Sequence, residues 1–169
     1  MADIFRGAER LMTMDDAAWR RHANPWSVWT RFTVLPLIML AVWSRVWLGW
    51  GAVVPVAAAL VWAWWNPRAF PPAPHLHSWA SRAVLGERVF LTHRAEIPAH
   101  HRRVAIWLTW ASLPGAVVMV WGLIALWWEG AVFGMLLTML PKVWFCDRMV
   151  WILQDWRAAG RAVPGMEGP

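Results

Sequence analysis

Two stretches of this chain carry no charged side chain for long enough to cross a lipid bilayer. Residues 46–67 hold 22 uncharged residues and residues 104–128 hold 25. A bilayer core needs about 20 mostly apolar residues in a helix. Two shorter stretches, 32–44 and 130–141, are closed by Arg45 and Lys142. Each reaches spanning length if its terminal cation snorkels to the headgroups. With 59% hydrophobic and 15% charged residues over 169 positions, an ordinary soluble domain and a disordered chain are both disfavoured. Cys146 is the only cysteine, which excludes an intramolecular disulfide.

The expected fold is therefore an all-α membrane protein with four transmembrane helices in two hairpins. The spans fall near 26–48, 50–66, 103–128 and 130–154. Asn24 and Pro25 suit the cap and first turn of the first span. Gly49 and Gly51 mark one hairpin turn and Glu129-Gly130 the other. Asn66-Pro67 predicts the stop of the second span, and Pro141 predicts a kink in the fourth. As a single membrane domain the chain divides into 1–24, a cytoplasmic amphipathic helix; 25–66, the first hairpin; 67–102, a Pro/His/Arg-rich connection; 103–156, the second hairpin; and 157–169, a tail.

Within the first segment, residues 3–21 read as an amphipathic interfacial helix. Ile4, Phe5, Ala8, Leu11, Met12, Ala18 and Trp19 share one face. Asp15 is the misfit on that face. The alternative is that this helix docks on the protein's own cytoplasmic surface. Residues 78–92 carry a weaker helical signal, because their apolar residues scatter around the wheel.

Of the sixteen Lys and Arg residues, fifteen fall in the N-terminal segment, the central connection or the distal part, and only Arg45 falls near a hairpin turn. The positive-inside rule then places both termini and the central connection in the cytoplasm of a prokaryotic inner membrane. The eighteen tryptophans follow the same boundaries, as expected of amphipathic rings at a membrane–water interface. Net charge +6 points to anionic lipid headgroups as partners, together with the bilayer itself. Membrane protein partners or a homo-oligomer fit as well. Nucleic acid does not, because the aromatic spacing is that of a membrane belt.

The residues that can carry chemistry concentrate on the predicted inner side. His93, Glu96, His100 and His101 put three imidazoles and a carboxylate within nine residues, and His75 and His77 can add ligands across a fold. Imidazole with carboxylate suits iron, zinc or manganese. Membrane di-iron desaturases resemble this only in style, since their histidine boxes are absent. The plainer reading makes His100-His101-Arg102-Arg103 a basic cap on the third span beside lipid phosphates. Arg31 and Arg45 fall on nearly one side of the first helix and with Lys142 would line a transport path. No phosphate-binding loop, dinucleotide fingerprint or hydrolase motif occurs.

Several strings together carry a resemblance: Asn24-Pro25-Trp26-Ser27-Val28-Trp29-Thr30-Arg31, Trp43-Ser44-Arg45, Asn66-Pro67-Arg68-Ala69-Phe70-Pro71, Val84-Leu85-Gly86-Glu87-Arg88-Val89 and Asp147-Arg148-Met149-Val150-Trp151. Over roughly residues 20–156 the chain resembles a family of small, uncharacterised prokaryotic integral membrane proteins with no assigned function. The resemblance implies a compact helical membrane protein and supplies no substrate, cofactor or catalytic residue. If the strings act together, Arg31, Arg68, Glu87, Arg88, Lys142, Asp147 and Arg148 form a polar cluster at the inner face, with His100 and His101 beside it. The functional expectation is a lipid-binding or complex-supporting membrane component. The alternatives are a metal-dependent membrane enzyme acting on a lipid-soluble substrate, and a small transporter.

Overall fold

In the computed structural model, which describes residues 15–164, every regular element is helical. The helices are α1 (Asp16–His22), α2 (Pro25–Arg31), α3 (Val34–Trp43), α4 (Arg45–Leu48), α5 (Val53–Ala69), α6 (Trp79–Thr92), α7 (Ala99–Ile124) and α8 (Trp128–Ala158). A 3₁₀ turn, Gly49–Ala52, lies between α4 and α5. Three stretches are long and apolar enough by length and composition to cross a membrane: Pro25–Ala69, Ala99–Ile124 and Trp128–Ala158. The first contains both spans of the expected first hairpin.

That first stretch folds back on itself. Asn66 lies 39 residues after Ser27, about 58 Å along a straight helix at 1.5 Å per residue. Yet the Ser27 hydroxyl donates to the Asn66 carbonyl at 3.4 Å, and Asn24 Nδ2 donates to the Pro71 carbonyl at 3.1 Å. The reversal falls where Gly49 adopts φ +52, a backbone conformation that glycine takes without steric penalty. Asn24 caps α2 as its sequence implies, its Oδ1 accepting from the Trp26 amide at 3.0 Å. An interruption at Phe32-Thr33 was not expected. Pro36 removes the amide that would bond to Phe32, and its ring crowds that carbonyl. The helix runs through Asn66-Pro67 to Ala69 before stopping, because the last turn is held from outside by the α2 contacts.

Contact clustering divides the chain into two units. The first comprises, of the described residues, 15–29, 66–105 and 146–164. Its centre is α6, in which nine residues from Ala80 to Phe90 are buried. Burial on nearly every side explains the scattered apolar pattern: a helix enclosed all round has no polar face to show. Ser78 caps it, accepting from the Ser81 amide at 3.0 Å. Gly86 lets α8 approach closely, since a Cβ there would stand 1.9 Å from the Met149 carbonyl oxygen. Leu85, Val89, Phe90, Met149, Ile152 and Leu153 complete the core.

In the same unit α1 lies against α6. Ala18 and Trp19, two members of the expected interfacial face, are buried within the protein. Asp15, the apparent misfit, is the N-cap and accepts from the Ala18 amide at 2.7 Å. Residues 3–14 of the expected amphipathic helix lie outside the described residues.

The second unit comprises Thr30–Trp65 and Ile106–Phe145. Met39, Met119, Leu123 and Ala131 form its core, with Leu35, Val42, Trp43, Val132 and Met135 packed around them. Here α7 and α8 approach backbone to backbone: a Cβ on Gly122 would meet the Ala131 amide nitrogen at 2.4 Å. Close approach through small residues is how helices associate where lipid removes the hydrophobic drive between them. The outside is apolar, with Leu40, Val54, Val61, Val117, Phe133 and Leu140 all exposed.

The end of α7 is closed without glycine. The Trp127 amide bonds to the Gly122 carbonyl at 2.8 Å and the Leu126 amide to the Leu123 carbonyl, with Leu126 at φ +55. This is a Schellman arrangement, satisfying carbonyls the helix leaves open. Arg45 completes it by donating through Nη2 to the Leu123 and Ile124 carbonyls.

Candidate functional site

The ionisable residues sort sharply between the units. Of sixteen Lys and Arg and ten Asp and Glu, the second unit holds only Arg31, Arg45, Glu129 and Lys142. All six histidines belong to the first unit.

Among the candidate metal ligands, the fold brings His100 and His101 together in the first turn of α7, ring centroids 4.2 Å apart. Their third neighbour is Asp155 of α8, and the ligand atoms of the three lie within 4.8 Å of one another. His93, Glu96, His75 and His77 are outside this set. His93 ends α6, its Nδ1 2.8 Å from the Thr92 hydroxyl and its ring against Trp156. Glu96 accepts from Arg161 at 2.8 Å. His75 and His77 are exposed in the non-helical run between α5 and α6. Asp155 is not among the candidate ligands drawn from the sequence, and no spacing rule links it to His101, 54 residues earlier.

Hydrogen bonding assigns the state of His101. Its side chain is 3% exposed. Nε2 lies 2.8 Å from Asp155 Oδ2, and Nδ1 lies 3.4 Å from Arg148 Nη1. Guanidinium has donors only, so Nδ1 accepts and Nε2–H donates to the carboxylate. A metal on Nε2 would require Nδ1 to carry the proton and point it at an acceptor. It would instead face a guanidinium donor, so these three residues do not fit a metal as arranged. With both ring nitrogens engaged, His101 also has none to offer a substrate. It acts as a strut between α7 and α8.

The members of the expected polar cluster have the following partners. Arg88 pairs with Asp16 and lies 5.8 Å from the Trp19 ring centre. Asp147 accepts from Trp79 Nε1 at 3.0 Å and Trp151 Nε1 at 3.2 Å. Arg148 joins His101 to Trp151, its guanidinium carbon 5.9 Å from the ring centre. Arg68 contributes its carbonyl, which accepts from Arg21 at 3.3 Å. Glu87 sits half-buried on α6. Arg31 and Lys142 belong to the second unit, where Lys142 Nζ lies 4.5 Å over the Phe145 ring.

One feature of the first unit was not legible in the sequence. Arg82 Nε, Arg88 Nε and Nη1, and Arg148 Nε are enclosed and meet no acceptor among the described residues. Each unsatisfied buried donor costs about 1–3 kcal/mol, more for a charged group. Four nitrogens on three guanidinium groups thus lack an acceptor among the described residues.

A model described as a family of unknown function (DUF6653) matches residues 6–167, and the chain belongs to that family. No curated protein and no solved structure matches the chain.

Proposed function

We propose that this member of a family of unknown function is a non-enzymatic integral protein of the prokaryotic inner membrane that binds phospholipid headgroups. The chain crosses four times, with the turns near Gly49 and Leu126 outside and both termini and the 67–102 connection in the cytoplasm. Two crossings come from the Pro25–Ala69 stretch, which reverses at Gly49. In the apolar part of that stretch only 11% of residues are buried, which leaves its apolar surface for lipid.

The observation that carries the lipid reading is that Arg82, Arg88 and Arg148 each carry a guanidinium nitrogen with no acceptor among the described residues, in the unit that holds most of the positive charge. Phosphate oxygens are anionic and accept hydrogen bonds without donating, which is what these donors lack. Arg45, a member of the transport path, is instead committed to the α7 carbonyls. The metal-enzyme reading is weakened by the orientation of His101.

The test is to purify the chain in mild detergent and measure bound phospholipid by phosphate content. Wild type retains phospholipid in defined proportion, and the R82A and R148A variants retain less. A lipid-free preparation that is equally stable with and without added phospholipid would overturn the reading. Reporter fusions after Gly49 and Glu129 should report the outside, and a fusion after Arg82 the cytoplasm. The reverse pattern would sink the threading.

A further inference from the structure

Asp147, in the first unit, is a carboxylate held by two neutral side chains. Its Oδ1 accepts from Trp79, the first residue of α6, and its Oδ2 accepts from Trp151, one turn along α8. Trp79 is stacked on Trp29 of α2, centroids 5.6 Å apart and planes 24° apart. Among the described residues no basic group lies within 4.0 Å of this carboxylate. That is unusual in a chain of net charge +6, where Arg88, His101 and Arg161 each have an acidic partner.

An indole at a membrane interface ordinarily spends its N–H on water or lipid. Here two indoles spend theirs on one anion, which fixes a negative charge between aromatic rings. Each carboxylate oxygen retains acceptor capacity. Trp29 and Trp151 are both 54% exposed, so this group opens outward. A half-buried carboxylate flanked by aromatic rings attracts a cation more strongly than one in water does. The next residue, Arg148, lies beside the same Trp151 ring and carries one of the unpartnered nitrogens. A negative and a positive group therefore flank one indole.

We infer that Trp29, Trp79, Asp147, Arg148 and Trp151 form a binding site for a zwitterionic phospholipid headgroup bearing a primary ammonium. The ammonium sits on Asp147, where its three donors meet the remaining carboxylate lone pairs. The phosphate sits toward Arg148. A trimethylated headgroup has no N–H to donate and binds less well. The inference rests on the phospholipid-binding reading and narrows it to one headgroup class and one place.

The experiment is native mass spectrometry of the full chain released from vesicles containing equal amounts of phosphatidylethanolamine, its mono- and dimethylated forms, and phosphatidylcholine. Wild type should retain the primary amine over the trimethylated lipid by about tenfold, the worth of one charge-assisted hydrogen bond. Retention should fall stepwise with methylation. D147N, which keeps the shape of the side chain, should lose the preference while retaining phospholipid. R148Q should lower retention of all four lipids alike. Equal retention across the wild-type series, a measurement that needs no variant, would overturn the inference and leave the broader lipid reading standing. So would an unchanged preference in D147N. Absence of any retained phospholipid would remove both.

Discussion

The two units are built from one chain of helices but obey different rules. The first is organised around a helix buried on nearly all sides and tied by polar links, among them Arg88–Asp16, His101–Asp155 and Ser81 Oγ to the Ala23 carbonyl at 2.7 Å. The second is poor in ionisable residues, with Arg31, Arg45, Glu129 and Lys142 its only Lys, Arg, Asp or Glu. It relies on close backbone approach between α7 and α8 and leaves its large apolar side chains outside. On the proposed membrane reading, water sets the first pattern: polar groups on the surface cost nothing there, so buried ones can be used to specify packing. On the same reading hydrocarbon sets the second: every backbone group must be satisfied internally, and apolar surface outward is the resting condition.

Substitutions in the two units should therefore differ in size. The largest effect is expected for G86V, which drives a side chain into the Met149 backbone and should cost about 3 kcal/mol or more. Size-exclusion chromatography in detergent should show loss of the monodisperse species. Next comes H101A, which strands Arg148 and leaves Asp155 without its donor at a cost of about 2–3 kcal/mol. H101Q can accept and donate through its amide and should recover part of the lost thermal stability. Full stability in H101A would show that the strut is dispensable.

In the second unit, R45A removes a cation from the end of α7 and exposes two carbonyls, for about 1 kcal/mol. If R45A lowers the unfolding midpoint more than H101A does, the contrast between the units fails, because polar linkage would then matter as much in the second. The smallest effect belongs to E96A. Glu96 and its partner Arg161 are about half exposed, and pairs of that kind contribute at most about 1 kcal/mol. Its loss should vanish at high salt, whereas that of H101A should persist.

The sequence made several local features legible. The reversal at Gly49 was marked by glycine, and the start of α2 by Asn24-Pro25. Helix α6 was harder. A half-exposed helix announces itself by a polar face, and this one has none because both its polar and apolar positions are enclosed. Asp15 looked like an error of pattern and is a cap, since a residue just before a helix does not share its wheel. The interruption at Phe32-Thr33 was missed, because the effect of Pro36 falls one turn upstream of the residue itself.

Partnerships between distant residues were not legible in the same way. His101 and Arg45 stand out as polar residues in or near apolar helices, but nothing local indicates that one meets Asp155 and the other the end of α7. Nor does composition indicate that Glu96 turns to Arg161 and leaves the histidines, or that Asp147 is held by two indoles. Helical type, membrane character and the segregation of charge follow from properties each segment carries alone: its periodicity, its caps and its cost of leaving water. The identity of each buried polar contact depends on how helices cross, and a crossing is set by side-chain volume at a few positions such as Gly86 and Gly122. Those volumes have consequences only when two helices are already in contact, which is why the site had to be read from the fold.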